Sequence, residues 1–144
     1  MITHDEQVVI NRPIEAVWAF LTDISTYTRW QEDLIEARQT SPGPFTVGAK
    51  GITARKVMGQ RDESTWEVTD LTPPSTFVLA IGGGLKGTIT NRLEQEGSGT
   101  RVLARMHAEA TGLLRIAEPV MAGVIKKGFG DGYRAMKRIL ESQS

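Results

Sequence analysis

The C-terminal stretch constrains this chain more than any other. From Gly112 onward it reads as one long helix, and it follows an almost uninterrupted series of strand-like runs. With Pro119 at the first helical position, where its fixed φ suits and its missing N–H costs nothing, the helix runs to about Glu141 and spans roughly 35 Å. A helix of that length arriving last must lie across the sheet that precedes it. At 3.6 residues per turn, Ala117, Met121, Ile125, Gly128, Phe129, Gly132, Met136, Ile139 and Leu140 share one broad face, which packs inward. Arg115, Lys126, Lys127, Arg134, Lys137 and Arg138 fall outside it and form a solvated back. The inward face mixes flexible methionines and an aromatic with two glycines that leave dents. That mixture suits an adaptable pocket as well as ordinary core packing. Leu113, Ile116, Val120 and Val124 add an apolar flank that a loop, a partner or a ligand entrance must cover.

Upstream of the helix the chain alternates between strand patterns and turn chemistry. Thr3 to Asn11 reads as a strand that Asn11-Arg12-Pro13 stops. Ile14, Val17, Trp18 and Leu21 then recur at helical spacing behind Pro13, with Glu15 in the favourable first turn. Thr22 and Asp23 end this helix or cap a second short one through Ser25 to Trp30. Ile35 to Arg38 forms a short strand before the turn Ser41-Pro42-Gly43-Pro44. Ala49 to Met58, Ser64 to Leu71, Phe77 to Ile81, Thr88 to Glu94 and Arg101 to Ala110 are five further strands, separated by Gly- and Pro-rich breaks. Connections this short join antiparallel neighbours. Alternation turns Trp66, Val68, Phe77, Leu79, Ile81, Ile89, Asn91, Leu93, Val102, Ala104, Met106 and Ala108 to one inner face, and Arg101, Arg105, His107 and Glu109 outward. The expected class is α+β: a curved antiparallel sheet of about seven strands, two short helices after the first strand, and a long terminal helix across the concave side.

The 144 residues make a single domain over 1–144, and 17 basic residues balance 17 acidic ones. Zero net charge without a basic run argues against nucleic-acid binding. The absence of cysteine removes disulfides, thiolate metal sites and a cysteine nucleophile. Only His4 and His107 are available, in different strands, so a histidine metal site or a Ser-His-Asp triad lacks material. No cofactor and no metal are expected. The polar, acidic N-terminus and the lack of a long apolar window point to a cytoplasmic protein without membrane insertion.

Gly82-Gly83-Gly84-Leu85-Lys86-Gly87 fits G-x-G-x-x-G, but it lies between two strands, where no helix follows to receive a pyrophosphate. It is a hairpin turn. Gly43 to Lys50 approaches the P-loop spacing, yet Ala49 stands where the lysine belongs. Two polar residues remain as weak catalytic candidates. Asn91 faces the interior, where its amide needs a neighbour, a water or a ligand. Glu118, ahead of Pro119, is an N-cap or first-turn carboxylate answering the helix dipole, or a general acid or base.

Several phrases resemble the SRPBCC or START-like superfamily, in particular the polyketide cyclase/dehydrase and lipid-transport group. They are Ile10 to Trp18 with Asp23 to Trp30, Val47-Gly48, Trp66 to Asp70 through Pro73-Pro74, Arg92-Leu93-Glu94 with Gly99 to Val102, and the helix end from Tyr133 to Leu140. The resemblance implies a helix-grip fold whose cavity, between sheet and terminal helix, holds a lipid, polyketide or similar apolar molecule. Its expected lining is Trp30, Trp66, Leu79, Asn91, Met106, Met121, Ile125 and Phe129. The superfamily includes carriers and cyclases, so the fold leaves activity open. Binding or transport of a small hydrophobic ligand is the leading expectation. A cyclase or dehydratase using Asn91 or Glu118 is the alternative. An interaction module using the flank Leu113, Ile116, Val120 and Val124, with a homodimer among its forms, is the third.

Overall fold

A computed structural model describes residues 1–57 and 59–143, so the strand end expected at Met58 lies outside the described residues. The strands are β1 (Ile2–Ile10), β2 (Leu34–Gln39), β3 (Lys50–Val57), β4 (Gln60–Thr72), β5 (Thr76–Gly82), β6 (Leu85–Glu96) and β7 (Gly99–Ala110). They form one seven-stranded sheet in the order β1-β7-β6-β5-β4-β3-β2, antiparallel throughout. From β2 to β7 each strand pairs with its successor, as short turns require, and β1 closes on the far side of β7. The glycine-rich segment is the expected hairpin: Gly83, at φ 117°, lies between β5 and β6 in a region that favours glycine.

Register turns the alternation into a surface. Gly51, Trp66, Ile81 and Gly87 lie opposite one another across β3 to β6. Trp66, Val68, Phe77, Leu79, Asn91, Leu93, Val102, Ala104, Met106 and Ala108 are all buried on the inner side, while Arg105 and His107 point to solvent. Gly51 makes this packing possible, because a Cβ there would stand 2.2 Å from Trp66 Cζ2 and 2.2 Å from the Arg38 carbonyl oxygen.

Helix α1 (Ile14–Leu21), a 3₁₀ turn (Ile24–Thr26) and helix α2 (Tyr27–Trp30) fill the gap between β1 and β2. Val17, Phe20 and Leu21 bury the apolar stripe of α1, and Trp18 meets Phe77 edge-on at 5.6 Å. The Asp23 carboxylate caps the turn by accepting from Ser25 N at 3.1 Å. Tyr27 Oη donates to the Leu21 carbonyl at 2.7 Å, tying α2 beneath α1.

Helix α3 (Leu114–Ser142) lies over the inner side, chiefly along β1, with further contact to β7 and α2. Three expectations about it need correction. Pro119 is inside the helix rather than at its start. The preceding turn forms because Leu114, Arg115 and Ile116 donate to the carbonyls of Thr111, Gly112 and Leu113 in tight i to i+3 bonds, which need nothing from residue 119. Glu118 is therefore not an N-cap; its carboxylate takes the amino group of Met1 across the end of β1. Finally, Gly128 faces solvent, and the buried glycines are Gly130 and Gly132.

Candidate functional site

The inner face has two differently covered ends. Toward the C-terminus of α3, Val68, Phe77, Leu93 and Val102 are sealed beneath Tyr133, Met136 and Leu140, all at 4 % exposure or less. Polar contacts fasten this end. The Arg12 guanidinium donates to the Leu140 carbonyl at 2.9 Å, and the Glu141 carboxylate accepts from Asn11 N at 2.8 Å and from Lys137 Nζ at 2.7 Å. Those two donors, Lys137 foremost, hold the Glu141 carboxyl below its usual range.

Toward the N-terminus of α3 the cover is partial. Ile2, Met106 and Ala108 are buried, but Ile81, Leu85 and Ile89 on the sheet and Ala122, Ile125 and Phe129 on the helix pack around them only half-buried. The outer flank of the same helical turns is bare, with Leu113, Ile116, Val120 and Val124 between 74 % and 88 % exposed. The structure thus brings Met106, Ile125 and Phe129 into one apolar cluster and places Trp30, Trp66 and Leu79 in the adjoining one. Ile81 and Phe129 bridge the two. Met121 is half-buried and lies outside both.

Asn91 does face the interior, at 2 % exposure. Its Oδ1 accepts a hydrogen bond of 2.6 Å from the Tyr133 hydroxyl. Burial pushes the Tyr133 phenol well above its usual range, so it stays neutral and donates. The chain does not bring Asn91 and Glu118 together. Tyr133, which meets Asn91, and Glu118 are separated along one helix by about 22 Å at the α-helical rise.

Sequence reasoning missed three residues of this face. Tyr133 lies one helical turn from both Phe129 and Met136, so its inward position was available from the spacing that identified them. His4 and Glu6 alternate with Ile2, Val8 and Ile10 and therefore share their side of β1. His4 Nε2 meets Glu6 Oε1 at 2.7 Å, the His4 ring lies 6.2 Å from Phe129, and Glu6 packs against Gly130, where a Cβ would approach its Oε1 to 2.5 Å. Among the described residues no group of three or more His, Cys, Asp or Glu side chains is arranged to hold a metal, and no helix is long and apolar enough to cross a membrane.

The aromatic side chains form linked pairs. Trp30 sits between Tyr27 and Tyr133, at 5.1 and 5.3 Å, under Gly132, and Trp66 packs on Phe45 at 5.9 Å. Both indole N–H groups are buried without a hydrogen-bond partner among the described residues, a state that ordinarily costs about 1–3 kcal/mol per group. Two open hollows lie along β2 to β5, the second lined in part by the inner-face residues Gly51, Trp66 and Ile81. One of about 370 Å³ lies between Thr22–Ser25 and the β2 residues Ala37–Gln39, with Phe45 beside it. The other, of about 410 Å³, spans β3 to β5 among outward residues such as Lys50, Glu67 and Ala80, and Trp66 borders it.

Solved structures with this architecture share little sequence with the chain. A conserved protein from Geobacillus kaustophilus superposes with a TM-score of 0.78 at 18 % identity, covering 98 % of this chain and 96 % of its own. A Thermus thermophilus protein gives 0.80 at 13 % identity over 99 % of both chains. A START superfamily protein from Mycobacterium smegmatis gives 0.73 at 13 % identity, over 98 % of this chain and 95 % of its own. No curated protein matches the sequence. The family model described as polyketide cyclase / dehydrase and lipid transport matches residues 1–141. The chain, which has the helix-grip fold, therefore belongs to the polyketide cyclase / dehydrase and lipid-transport family.

Proposed function

We propose that this protein binds or carries a small hydrophobic ligand at the half-covered end of its inner face, between β5 to β7 and the first turns of α3. One observation carries the reading. Ile81, Leu85, Ile89 and Ile125 keep accessible apolar surface, whereas the inward residues of the same strands at the other end, Phe77, Leu93 and Val102, keep almost none. Covering such surface is worth about 25 cal/mol per Å² of apolar area, and a small apolar molecule supplies that cover. The family's description, which names both lipid transport and cyclases, agrees with the class of ligand.

The test is native mass spectrometry of the gently purified chain, followed by titration with the neutral fluorophore N-phenyl-1-naphthylamine. A one-to-one adduct or complex is expected, weakened about tenfold or more when a charge enters the apolar face in Ile89→Asp or Ile125→Asp. A clean apo mass together with no probe binding would sink the reading.

The exposed stripe Leu113, Ile116, Val120 and Val124 favours a second reading, a protein-interaction surface that includes self-association. Light scattering across a concentration series separates the two. A monomer at all concentrations removes self-association through the stripe, while a dimer lost in Ile116→Asp supports it. The cyclase or dehydratase alternative retains Asn91 as its polar group. Glu118, its other candidate, meets the Met1 amino group.

A further inference from the structure

The outward side of α3 changes character along its length. Leu113, Ile116, Val120 and Val124 recur at the spacing of one helical stripe and are 74–88 % exposed. The stripe runs about 16 Å along the axis, and beyond it Lys127 and Asp131 continue the same spacing as charge. The helix carries six basic and three acidic residues in a chain of zero net charge. All three acids are engaged. Glu118 takes the Met1 amino group, Asp131 accepts from Lys127 at 2.7 Å and from Arg134 at 2.6 Å, and Glu141 accepts from Lys137 at 2.7 Å. Arg115, in the first turn of the stripe, and Lys126, just beyond its last, meet no carboxylate among the described residues. Glu109, near the end of β7, stands opposite Lys86.

Charge and apolarity together select what can cover this stripe. A second copy laid stripe to stripe would bring no free carboxylate of its own α3 to answer the cations. A nucleic acid would answer them and leave the aliphatic side chains wet. A bilayer containing anionic lipids is apolar beneath and negative above, and so meets both needs. No helix among the described residues is long and apolar enough to cross it, so the contact is with its surface.

We propose that the first turns of α3 are a docking surface for anionic membranes, with Ile116, Val120 and Val124 seated at the boundary between headgroups and acyl chains and Arg115 and Lys126 among the lipid phosphates. The inference concerns the outward side of the helix and stands whether or not the inner face holds a ligand. Flotation of the full chain with large vesicles tests it, comparing phosphatidylcholine alone with a mixture of about three parts phosphatidylcholine to one of phosphatidylglycerol. The anionic vesicles should bind about tenfold more tightly at low salt, with the preference fading as ionic strength rises. Ile116→Asp combined with Val120→Asp should abolish flotation. Arg115→Glu combined with Lys126→Glu should bring the two vesicle types to within about twofold. The chain has no cysteine, so Val120→Cys carrying a nitrobenzoxadiazole label reports depth without the charge variants. Its emission should shift to the blue on anionic vesicles, while the same label at Thr88, exposed on the outer side of β6, should not shift. Equal binding to the two vesicle types, binding to neither, or flotation with the Val120 label unshifted overturns the inference. A dimer lost in Ile116→Asp, without flotation, also overturns it and assigns the stripe to a second copy.

Discussion

The two halves of α3 lie over the same sheet and do different work. The C-terminal half buries Tyr133, Met136 and Leu140 on Phe77, Leu93 and Val102, and is fastened by Arg12, Asn11 and Glu141. The N-terminal half covers Ile81, Leu85 and Ile89 only partly and exposes Leu113, Ile116, Val120 and Val124. Aliphatic and methionine side chains do not separate them, since both halves carry these. The difference is in what lies on the far side of the helix axis. At the sealed end α2 packs against α3 and Trp30 supports Tyr133. At the other end Pro119 interrupts the helical hydrogen-bond ladder, because it has no N–H for the Arg115 carbonyl. A grip built this way holds the fold at one end and leaves accessible apolar surface at the other.

If this division is correct, equivalent truncations should have unequal costs. Phe77→Ala at the sealed end should destabilise by about 3–5 kcal/mol. Ile89→Ala at the half-covered end should cost about 1 kcal/mol, because much of its surface is already wet. Urea midpoints of the two variants check the contrast, and similar losses would abolish it. An intermediate effect is expected at the polar seam between the halves. Tyr133→Phe removes the hydrogen bond that the Tyr133 hydroxyl gives to buried Asn91 and should cost about 1–3 kcal/mol. A neutral result would mean that the Asn91 amide finds water or a ligand instead.

The smallest effect concerns the clasp at Glu141. Its carboxyl is held below the usual value by Lys137 and Asn11. The stabilisation is therefore complete above the ordinary glutamate range, near pH 4, and is lost as pH falls through the lowered value. Glu141→Gln should lower the urea midpoint slightly at neutral pH, and the gap from the parent chain should close in acid. A gap that persists unchanged at low pH would assign the loss to packing or to hydrogen bonding instead.

Much of the fold was legible because its signals are local. Alternation from Trp66 to Ala108 assigned the inner face correctly, and the glycine run at Gly82 to Gly87 was legible as a hairpin because no helical pattern follows it. The helix start was not. Pro119 fits a first helical position well, but the turn before it is closed by i to i+3 bonds and by the contact of Glu118 with Met1, a partner at the other end of the chain. Asn91 was found through its neighbours Ile89 and Leu93, whereas Tyr133 and the pair His4 and Glu6 were passed over although their spacing matched the buried set. Polar residues at apolar positions are easily read as surface when only hydropathy is followed.

What the sequence by itself determined is the set of faces: which side of each strand is apolar, which stripe of α3 turns inward, and that one sheet must meet one long helix. Periodicity fixes these within a few residues, since side-chain direction follows from backbone repeat alone. The tertiary structure decided how deeply each part of those faces is covered. It set Tyr133 on Asn91, left the Trp30 and Trp66 donors without acceptors among the described residues, and held one end of α3 tight over the sheet while the other stays half-open. Coverage depends on where the axis of α3 runs relative to β1 and β7, and that path is set by contacts between residues more than a hundred positions apart, such as Arg12 with Leu140 and Met1 with Glu118.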